Sequence, residues 1–547
     1  MTGAGGNKVD DVLARSARRT PRRVALRYGE RVWTYAGLDA AVTRAAGFLL
    51  GERLAHGDRV GAYGHNSDAY LIGFLACSRA GLVHVPINHH LTGDDLRYIV
   101  EQSGSAAVLA DPDVRHHLPD SARVLPLRGT TGSLLDYAER EHPGGNDAER
   151  ERPGGNDAEP GRPGGNDAER ERPGERGEHP AEREQPGGAH AVAGPDDGEG
   201  LAQLLYTSGT TALPKGAMLT HRALLHEYAS AITALDLKET DRPVHSLPLY
   251  HSAQMHVFLM PYLAVGAENT LLDAPDAERI LDLVEAGKAD SLFAPPTVWI
   301  GLSHHPGFAT RDLGALRKAY YGASIMPVPV LERLRSRLPG LAFYNCFGQS
   351  EIGPLATVLG PDEHEGRMDS CGRPVLFVEA RVVDQKGREV PDGTRGEVVY
   401  RSPQLCEGYW DKPEETAEAF RDGWFHSGDL AVRDEEGYFT VVDRVKDVIN
   451  SGGVLVASRQ VEDALYTHEG VAEVAVIGLP DERWVEAVTA VVVRGDDHLT
   501  EAELIGHARE KLPHFKAPKR VLFVDELPRN ASGKILKREL RDRFGRA

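Results

Sequence analysis

The spacing of apolar positions in the first part of the chain follows two different periods. Apolar residues recur every three or four positions over 39–50 and again over 69–79, which predicts two helices. Short apolar runs over 59–63, 83–88 and 106–110 predict buried strands. Helices that alternate with buried strands favour an α/β layered fold.

The apolar pattern stops at about residue 141 and returns at about residue 200. Within this stretch the sequence Pro-Gly-Gly-Asn-Asp-Ala-Glu begins at Pro143, Pro153 and Pro163, which gives a period of ten residues. Ten residues are too few for a solenoid repeat, and almost nothing here is apolar enough to bury. The composition predicts a disordered insertion or linker over 141–200.

The α/β pattern resumes after the insertion and continues to about residue 443. The sequence therefore predicts a large layered N-terminal domain over 1–443 and a small, mobile α+β C-terminal domain over 446–547. A connector is expected over 446–456. A small domain that can move suits an enzyme that changes its active site between steps. The elements predicted in the small domain are strands over 474–478 and 487–493 and helices over 460–466 and 501–511.

The amino-acid composition of the chain argues against several classes of binding partner and cofactor. A chain of 547 residues is too long for one core, and its 63 basic and 82 acidic residues argue against nucleic acid or an anionic membrane as a partner. Four scattered cysteines without a Cys-x-x-Cys pair indicate neither a disulfide framework nor a zinc site. No signal peptide and no apolar run of ~20 residues is found, so we expect a cytoplasmic protein without a membrane span.

The stretch Thr207-Ser-Gly-Thr-Thr-Ala-Leu-Pro-Lys-Gly216 combines small hydroxyl residues, glycines and one lysine. Short side chains let backbone N–H groups approach a polyanion, and the hydroxyls and Lys215 add donors and charge. This chemistry is typical of a phosphate-binding loop. The segment is not a Walker A loop, because no Gly-Lys-[Ser/Thr] opens a helix. Taken alone, it could also be a polar surface turn.

Four further polar motifs follow the loop along the chain. Each has a plain structural reading as well, since His251 could be a core histidine, Glu351 and Asp429 could cap helices, and Lys534 could be a solvated charge. Their order and spacing together favour an active site. The motifs are Pro248-Leu-Tyr-His-Ser252, Asn345-Cys-Phe-Gly-Gln-Ser-Glu351, His426-Ser-Gly-Asp-Leu430 and Pro528-Arg-Asn-Ala-Ser-Gly-Lys-Ile-Leu-Lys537.

In these motifs the chain resembles the adenylate-forming superfamily of acyl-CoA synthetases, firefly luciferases and peptide-synthetase adenylation domains. The runs Tyr321–Pro327 and Ala457–Glu462 resemble the bacterial fatty-acyl-CoA synthetase-like branch. The resemblance implies an N-terminal adenylation domain, ATP and Mg²⁺ as cofactors, a small-molecule acid as substrate and CoA as co-substrate. The acid would be joined to AMP with release of pyrophosphate, and the acyl group would then pass to a thiol.

The resemblance also implies a role for individual residues. Glu351 would hold Mg²⁺, Asp429 would accept hydrogen bonds from the ribose hydroxyls, and Lys534 would stabilise charge in the first transition state. Lys446 would be the hinge about which the C-terminal domain rotates to withdraw Lys534. His251 is a further catalytic candidate. The remaining nucleotide-binding candidates are Thr207, Ser208, Gly209, Thr210, Thr211 and Lys215 for the phosphates, Ser350 for the α-phosphate, Gly322, Ala323, Ser324, Phe347 and Gly348 around adenine, and Arg444 for ribose or phosphate.

The substrate pocket is left open by the sequence. By resemblance the acyl pocket would lie beside His251, and its aromatic, Met and polar residues would suit an apolar or aromatic acid with some polarity. Several of these residues could equally be ordinary core residues. The candidates are Ser252, Gln254, Met255, His256, Trp299 and Tyr320.

The sequence departs from the family pattern at several places. Ala212 stands where a glycine is usual in the phosphate loop, and Gln460 stands at a usual glutamate. Val454 and Leu455 replace Glu-Asn beside the expected route of the CoA thiol arm. The last change motivates alternatives in which the adenylate goes to a carrier-protein thiol or in which the enzyme is a diazotase that activates nitrite for an aryl amine. A regulatory homologue without turnover is a further alternative, and the sequence is compatible with a homodimer.

Overall fold

The computed structural model describes residues 7–140, 200–207, 213–324, 326, 328–444, 447–452, 454–481, 483–529 and 535–545. The predicted insertion over 141–200 therefore lies outside the described residues except for Gly200. None of the helices in the described part is both long and apolar enough to cross a membrane.

The first large sheet has six strands, and all neighbouring strands run parallel except the last pair. It contains the three strands predicted at 59–63, 83–88 and 106–110, within one residue at each end. The antiparallel last pair places Thr207 opposite Lys215 across the loop between them. In spatial order the strands are Val124–Pro126, Ser105–Ala110, Arg59–Tyr63, Val83–Ile87, Leu201–Thr207 and Lys215–Thr220.

The second large sheet has nine strands and is parallel in its centre, with antiparallel strands at both edges. The largest buried cluster draws residues from both large sheets and from helices, so the helices are packed between two layers of strands. In spatial order the strands are Arg373–Pro374, Thr357–Leu359, Ala342–Phe347, Lys318–Gly322, Ser291–Ala294, Pro243–His245, Asn269–Leu271, Val24–Tyr28 and Arg31–Thr34.

A third, antiparallel sheet of five strands completes the N-terminal part. Its last strand ends at Arg444, and the next strand, from Ile449, belongs to a different sheet. The division into domains at 443 and 446 stays a prediction. The strands of the third sheet are Glu379–Val383, Arg395–Arg401, Phe420–Arg421, Trp424–Arg433 and Phe439–Arg444.

The C-terminal sheet differs from the sequence-based prediction in two respects. The segment predicted as a connector forms a hairpin in which Ile449–Ser451 pairs with Val454–Val456. Strands of three residues are too short to show a period of two, so the pattern could not reveal them. The strands Val471–Asp481 and Val485–Arg494 contain the two predicted strands and extend them by one to three residues at each end. A further strand, Arg520–Val524, was not predicted.

The helices include all four that the apolar spacing predicted. The helices predicted at 39–50 and 69–79 begin earlier, because the hydroxyls of Thr34 and Ser67 accept hydrogen bonds from backbone N–H groups of the first turn. The α-helices are Asp11–Arg19, Tyr35–Gly51, Asp68–Ala80, Gly93–Gln102, Leu134–Glu139, His221–Ala234, Met260–Val265, Ala277–Glu285, Pro296–His304, Pro306–Thr310, Val328–Arg337, Pro413–Ala419, Ser458–Tyr466, Glu501–Lys511 and Lys537–Phe544. Short 3₁₀ helices lie at Arg115–His117, Ser350–Ile352 and Pro361–Glu363, and a π-helix lies at Ala253–Leu259.

A polar cluster joins the C-terminal unit to the third sheet. The Asp443 carboxylate accepts hydrogen bonds from the Ser458 backbone N–H (2.6 Å) and from the Ser458 hydroxyl. Lys537 donates to the Ser458 hydroxyl at 2.6 Å and forms an ion pair with Glu462 at 2.8 Å. These carboxylates raise the pKa of Lys537 although burial opposes them, so the ammonium group stays charged in this contact.

Candidate functional site

The centre of the candidate site is the short turn Gln349-Ser350-Glu351, which follows the carboxyl end of a central strand of the nine-stranded sheet. Gln349 donates from Nε2 to Oδ2 of Asp429 at 3.2 Å. The hydroxyl of Ser350 lies 3.1 Å from that of Ser252. The carboxylate of Glu351 accepts from the Thr207 hydroxyl at 3.4 Å. Three consecutive residues thus bring together three motifs that are far apart in sequence, at the edge where α/β sheets bind ligands.

Thr207 and Lys215 flank the predicted phosphate loop. They face each other in the antiparallel pair, and both side chains are half-buried beside the turn that carries Glu351. The Lys215 ammonium group lies 5.0 Å from the centre of the Tyr409 ring, a distance typical of a cation–π contact. Tyr409 in turn donates its hydroxyl to Glu351, so the residues at both ends of the loop are connected to Glu351. Residues 208–212, within the loop, lie outside the described residues.

Asp429 and Arg444 form a pair across two strands of the third sheet. The two residues are in register, and Arg444 Nε lies 2.9 Å from Asp429 Oδ1. Asp429 is 3% exposed, and the negative charges around Arg444, chiefly Asp429, raise the pKa of its guanidinium group. One carboxylate oxygen is thus engaged by Arg444 and the other by Gln349. The pair presents a fixed acceptor next to the turn at Glu351.

The candidate adenine site lies at the ends of two neighbouring parallel strands, Lys318–Gly322 and Ala342–Phe347. A Cβ atom at Gly322 would lie 2.2 Å from the carbonyl oxygen of Cys346, so only glycine allows this approach of the backbones. Ala323 is exposed with φ of +62°, a strained conformation for alanine that is typical of functional sites. Ser324 and Phe347 are half-buried at the same edge.

Gly348 offers a direct test of this geometry. A Cβ atom there would lie 2.1 Å from the Pro354 carbonyl oxygen and 2.8 Å from the Ala356 nitrogen. We expect Gly348→Ala to lower the free energy of unfolding by at least ~1–3 kcal/mol and to weaken ATP binding, because the backbone must shift. Chemical denaturation and calorimetric titration with ATP would measure both effects.

Gly47 supplies the matched control for this substitution. It lies inside the helix Tyr35–Gly51, and no atom comes within 4 Å of the position that a Cβ atom would take there. Gly47→Ala is expected to increase stability by ~0.5–1 kcal/mol and to leave ATP binding unchanged. A Gly348→Ala protein as stable as Gly47→Ala would contradict the close approach described above.

His251 directly precedes Ser252, whose hydroxyl lies 3.1 Å from that of Ser350. Burial lowers the pKa of His251 to about 4, so its imidazole is neutral at physiological pH. Its Nε2 atom is buried and has no hydrogen-bond partner among the described residues. A neutral imidazole in this position can offer a hydrogen bond to a ligand but not a charge.

The other acyl-pocket candidates are engaged in the protein core. His256 accepts at Nδ1 from the Tyr228 hydroxyl (2.9 Å), and its Nε2 contacts Gln203, which in turn donates to His84. Gln254, Met255, Trp299 and Tyr320 are at most 1% exposed, and all but Met255 are hydrogen-bonded to neighbouring core groups. The core interpretation left open by the sequence accounts for all five side chains.

Two contacts of the site have no counterpart in the sequence-based prediction. Gln349 lies within one of the polar motifs, but the sequence assigns it no role. Tyr409 donates its hydroxyl to Glu351 Oε1 at 3.0 Å, and burial together with the Glu351 charge raises the pKa of Tyr409 far above its usual range. Tyr409 follows the glycine of Cys406-Glu-Gly-Tyr-Trp410, and neither spacing nor composition singles it out.

Several predicted residues lie outside the described residues. They are Ser208, Gly209, Thr210, Thr211, Ala212, Lys446 and Lys534. Their roles stay predictions.

Comparison with known proteins agrees with this fold. A model of the family described as AMP-binding enzyme matches residues 13–410, and a model of the AMP-binding enzyme C-terminal domain matches residues 460–534. A feruloyl-CoA synthase from Amycolatopsis sp is 36% identical over 532 residues, which cover 97% of this chain and 98% of the relative. A fatty acid–[acyl-carrier-protein] ligase, ScoC of Streptomyces coeruleorubidus, is 32% identical and covers 96% of this chain and 95% of its own length.

A solved structure supports the same assignment. ATP-bound MatB from Rhodopseudomonas palustris has a TM-score of 0.81 and 29% identity, and the match covers 98% of this chain and 99% of MatB. The chain belongs to the AMP-binding enzyme family, that is, to the adenylate-forming enzymes. The family membership and the fold together show that this protein is an α/β enzyme with a large N-terminal part and a small C-terminal part, as the sequence predicted.

Proposed function

We propose that this protein is an ATP-dependent acid–CoA ligase that activates a carboxylic acid as acyl-AMP, releases pyrophosphate and transfers the acyl group to CoA. The observation that supports this most is the turn Gln349-Ser350-Glu351, whose members contact Asp429, Ser252 and Thr207. One turn can therefore connect groups suited to ribose, to the reacting centre and to phosphate. Such fixed groups hold two reactants together and stabilise developing charge.

The described residues divide the binding of ATP among themselves in this proposal. Asp429 accepts hydrogen bonds from the ribose hydroxyls while Arg444 and Gln349 hold it in place. Gly322, Ala323, Ser324, Phe347 and Gly348 enclose adenine. Thr207 and Lys215, with the loop between them, bind the β- and γ-phosphates. Ser350 contacts the α-phosphate, and His251, neutral and beside Ser252, donates a hydrogen bond to the substrate carboxylate or the phosphate as the new bond forms.

The residues around Glu351 fit a Mg²⁺ ion. Glu351 is 8% exposed, and its carboxylate has no ion-pair partner within the described ranges of the chain. The carboxylate accepts hydrogen bonds from the hydroxyls of Thr207 and Tyr409, and a carboxylate oxygen is a ligand that Mg²⁺ prefers together with substrate phosphates. Glu351 would hold the ion against the phosphates, where the ion supplies charge neutralisation.

The second half-reaction has CoA as its proposed acceptor. Val454 and Leu455, at 45% and 53% exposure, lie on the hairpin of the C-terminal unit and leave an apolar surface open. This observation favours a carrier-protein thiol as the second candidate acceptor, and the relative ScoC carries that activity in its name. The first half-reaction is the same for both acceptors.

The experiment that tests the proposal is pyrophosphate release from ATP with a panel of hydroxycinnamic, other aryl and fatty acids, each with CoA, with a phosphopantetheinylated carrier protein or without acceptor. Release with one class of acid and formation of its CoA thioester is expected. Thioester formed only on the carrier protein would replace CoA as acceptor. Release with nitrite and an aryl amine, and with no carboxylic acid, would overturn the proposal in favour of a diazotase.

A further inference from the structure

A segment from Gln404 to Trp410 joins the turn at Glu351 to the strand that leaves the phosphate loop. On one side, backbone hydrogen bonds connect Met218 with Glu407 and Gly408, and Trp410 donates to the carbonyl of Gly216. On the other side, the Cys406 backbone N–H donates to the Glu351 carbonyl at 2.8 Å. The segment therefore fixes the distance between the two halves of the proposed phosphate and metal site.

Gln404 lies at the start of this segment and is fully buried behind the turn. Its side-chain amide nitrogen lies 3.3 Å from the Ile352 carbonyl oxygen and 3.1 Å from the Leu355 carbonyl oxygen. Both carbonyls belong to the chain that immediately follows Glu351. Because buried carbonyls need donors, Gln404 provides the hydrogen bonds that close this part of the turn.

Glu227 holds the Gln404 amide in that orientation. Gln404 Nε2 donates to Glu227 Oε2 at 2.6 Å, and Gln404 Oε1 accepts from the Ser230 hydroxyl at 2.6 Å. Glu227, Ser230 and Gln404 are all 0% exposed. The amide oxygen of Gln404 faces a hydroxyl donor, and its amide nitrogen faces carbonyl and carboxyl acceptors. Only one of the two possible orientations of the amide group therefore satisfies all these contacts.

Glu227 is an unusual residue for this place. No cation of the described residues forms an ion pair with its carboxyl group, and Oε1 has no hydrogen-bond partner. Burial raises the pKa of Glu227 well above its usual range, which favours the neutral form of the carboxyl group. A neutral carboxyl accepts from Gln404 without placing a second negative charge behind Glu351.

We propose that Gln404 and Glu227 are positioning residues that hold the Glu351 carboxylate in the geometry needed for Mg²⁺. The inference rests on the proposed role of Glu351. Gln404 anchors the backbone after Glu351, Cys406 anchors the carbonyl of Glu351, and Tyr409 anchors its carboxylate. Neither Gln404 nor Glu227 touches the nucleotide in this arrangement. Their loss is therefore expected to weaken the binding of Mg²⁺–ATP and to leave the binding of metal-free ATP unchanged.

The test compares calorimetric titrations with Mg²⁺–ATP and with ATP in EDTA, which need no knowledge of the acid substrate. Gln404→Met keeps the length of the side chain and removes the amide, and is expected to weaken Mg²⁺–ATP binding at least 5-fold while metal-free ATP binds as before. Glu227→Asp withdraws the acceptor but keeps the buried polarity, and should show the same selective loss. Glu227→Gln, which restores an acceptor oxygen, is expected to behave as the wild type.

Two controls separate the possible causes. Thr233→Ala removes an exposed hydroxyl from the helix that carries Glu227 and should change neither titration. Glu351→Gln tests the proposed function itself and should abolish the advantage of Mg²⁺–ATP over metal-free ATP. If it does not, the role of Glu351 fails, whatever the other variants show.

The positioning proposal is overturned if Glu351→Gln loses that advantage while folded Gln404→Met and Glu227→Asp proteins retain it. It is also overturned if these two variants weaken both forms of ATP equally. Should Gln404→Met not fold, Glu227→Asp decides the question by the same two titrations, with thermal unfolding as the measure of folding.

Discussion

Replacement of Lys534 by alanine is expected to reduce acyl-adenylate formation by a factor of about 10²–10³. In the role that the family resemblance implies, its ammonium group stabilises the charge that grows in the first transition state, and removing one such group typically costs this much. Thioester formation from a supplied acyl-adenylate and CoA is expected to stay within about 3-fold of the wild type, because a lysine that serves only the first step is withdrawn before the second. Separate assays of pyrophosphate release and thioester formation measure the two effects.

Lys511→Ala is the control for a general effect of removing a lysine from the C-terminal part. Lys511 is exposed in the last turn of the helix Glu501–Lys511, and its loss should change neither half-reaction. If Lys534→Ala slowed both half-reactions equally, the division of labour by rotation about Lys446 would be refuted. If it slowed neither, Lys534 would be the solvated surface charge that its sequence also allows.

Substitution of Asp429 by asparagine is expected to raise the KM for ATP by ~10–100-fold. A hydrogen bond to a charged acceptor contributes ~1.5–3 kcal/mol, and the ribose hydroxyls would lose that charge while the shape of the acceptor is kept. The variant should also be less stable, because Arg444 loses its counter-ion. Steady-state kinetics and thermal unfolding would measure these changes.

Comparison of ATP with 2′-deoxy-ATP makes this prediction specific for ribose. The wild type should discriminate against the deoxy nucleotide, and Asp429→Asn should discriminate much less, as expected for two groups that interact directly. Asp392→Asn breaks another Asp–Arg pair of the N-terminal part, the exposed pair with Arg433, and should leave the KM for ATP unchanged. An Asp429→Asn enzyme that still rejects 2′-deoxy-ATP as strongly would show that Asp429 does not bind ribose.

The secondary structure illustrates where local pattern is sufficient. The helices Tyr35–Gly51 and Asp68–Ala80 were predicted from apolar spacing, and their true starts became visible once Thr34 and Ser67 were seen as caps. The hairpin of Ile449–Ser451 and Val454–Val456 was wrongly predicted as a connector. Its strands exist because they pair with each other and with the C-terminal sheet, which short segments do not reveal by themselves.

The site shows a similar division. Thr207, Glu351 and Asp429 could be selected as candidates because hydroxyl, carboxylate and glycine-rich motifs of this chemistry are recognisable along a chain. Tyr409 and Gln404 could not, since they become important only through contacts with residues 58 and 177 positions away, Glu351 and Glu227. The interpretation of His256 likewise depended on its partners Tyr228 and Gln203 in the core.

The sequence by itself determined the α/β class, four of the helices and five of the strands, the family resemblance and the set of candidate chemical groups, because periodicity and motif chemistry are local properties. Only the tertiary structure decided which of these groups lie together, how the turn at Glu351 is held from behind, and which polar residues belong to the core. The physical reason is that burial and long-range hydrogen bonds give a side chain its charge state and orientation, and both arise only when distant segments pack.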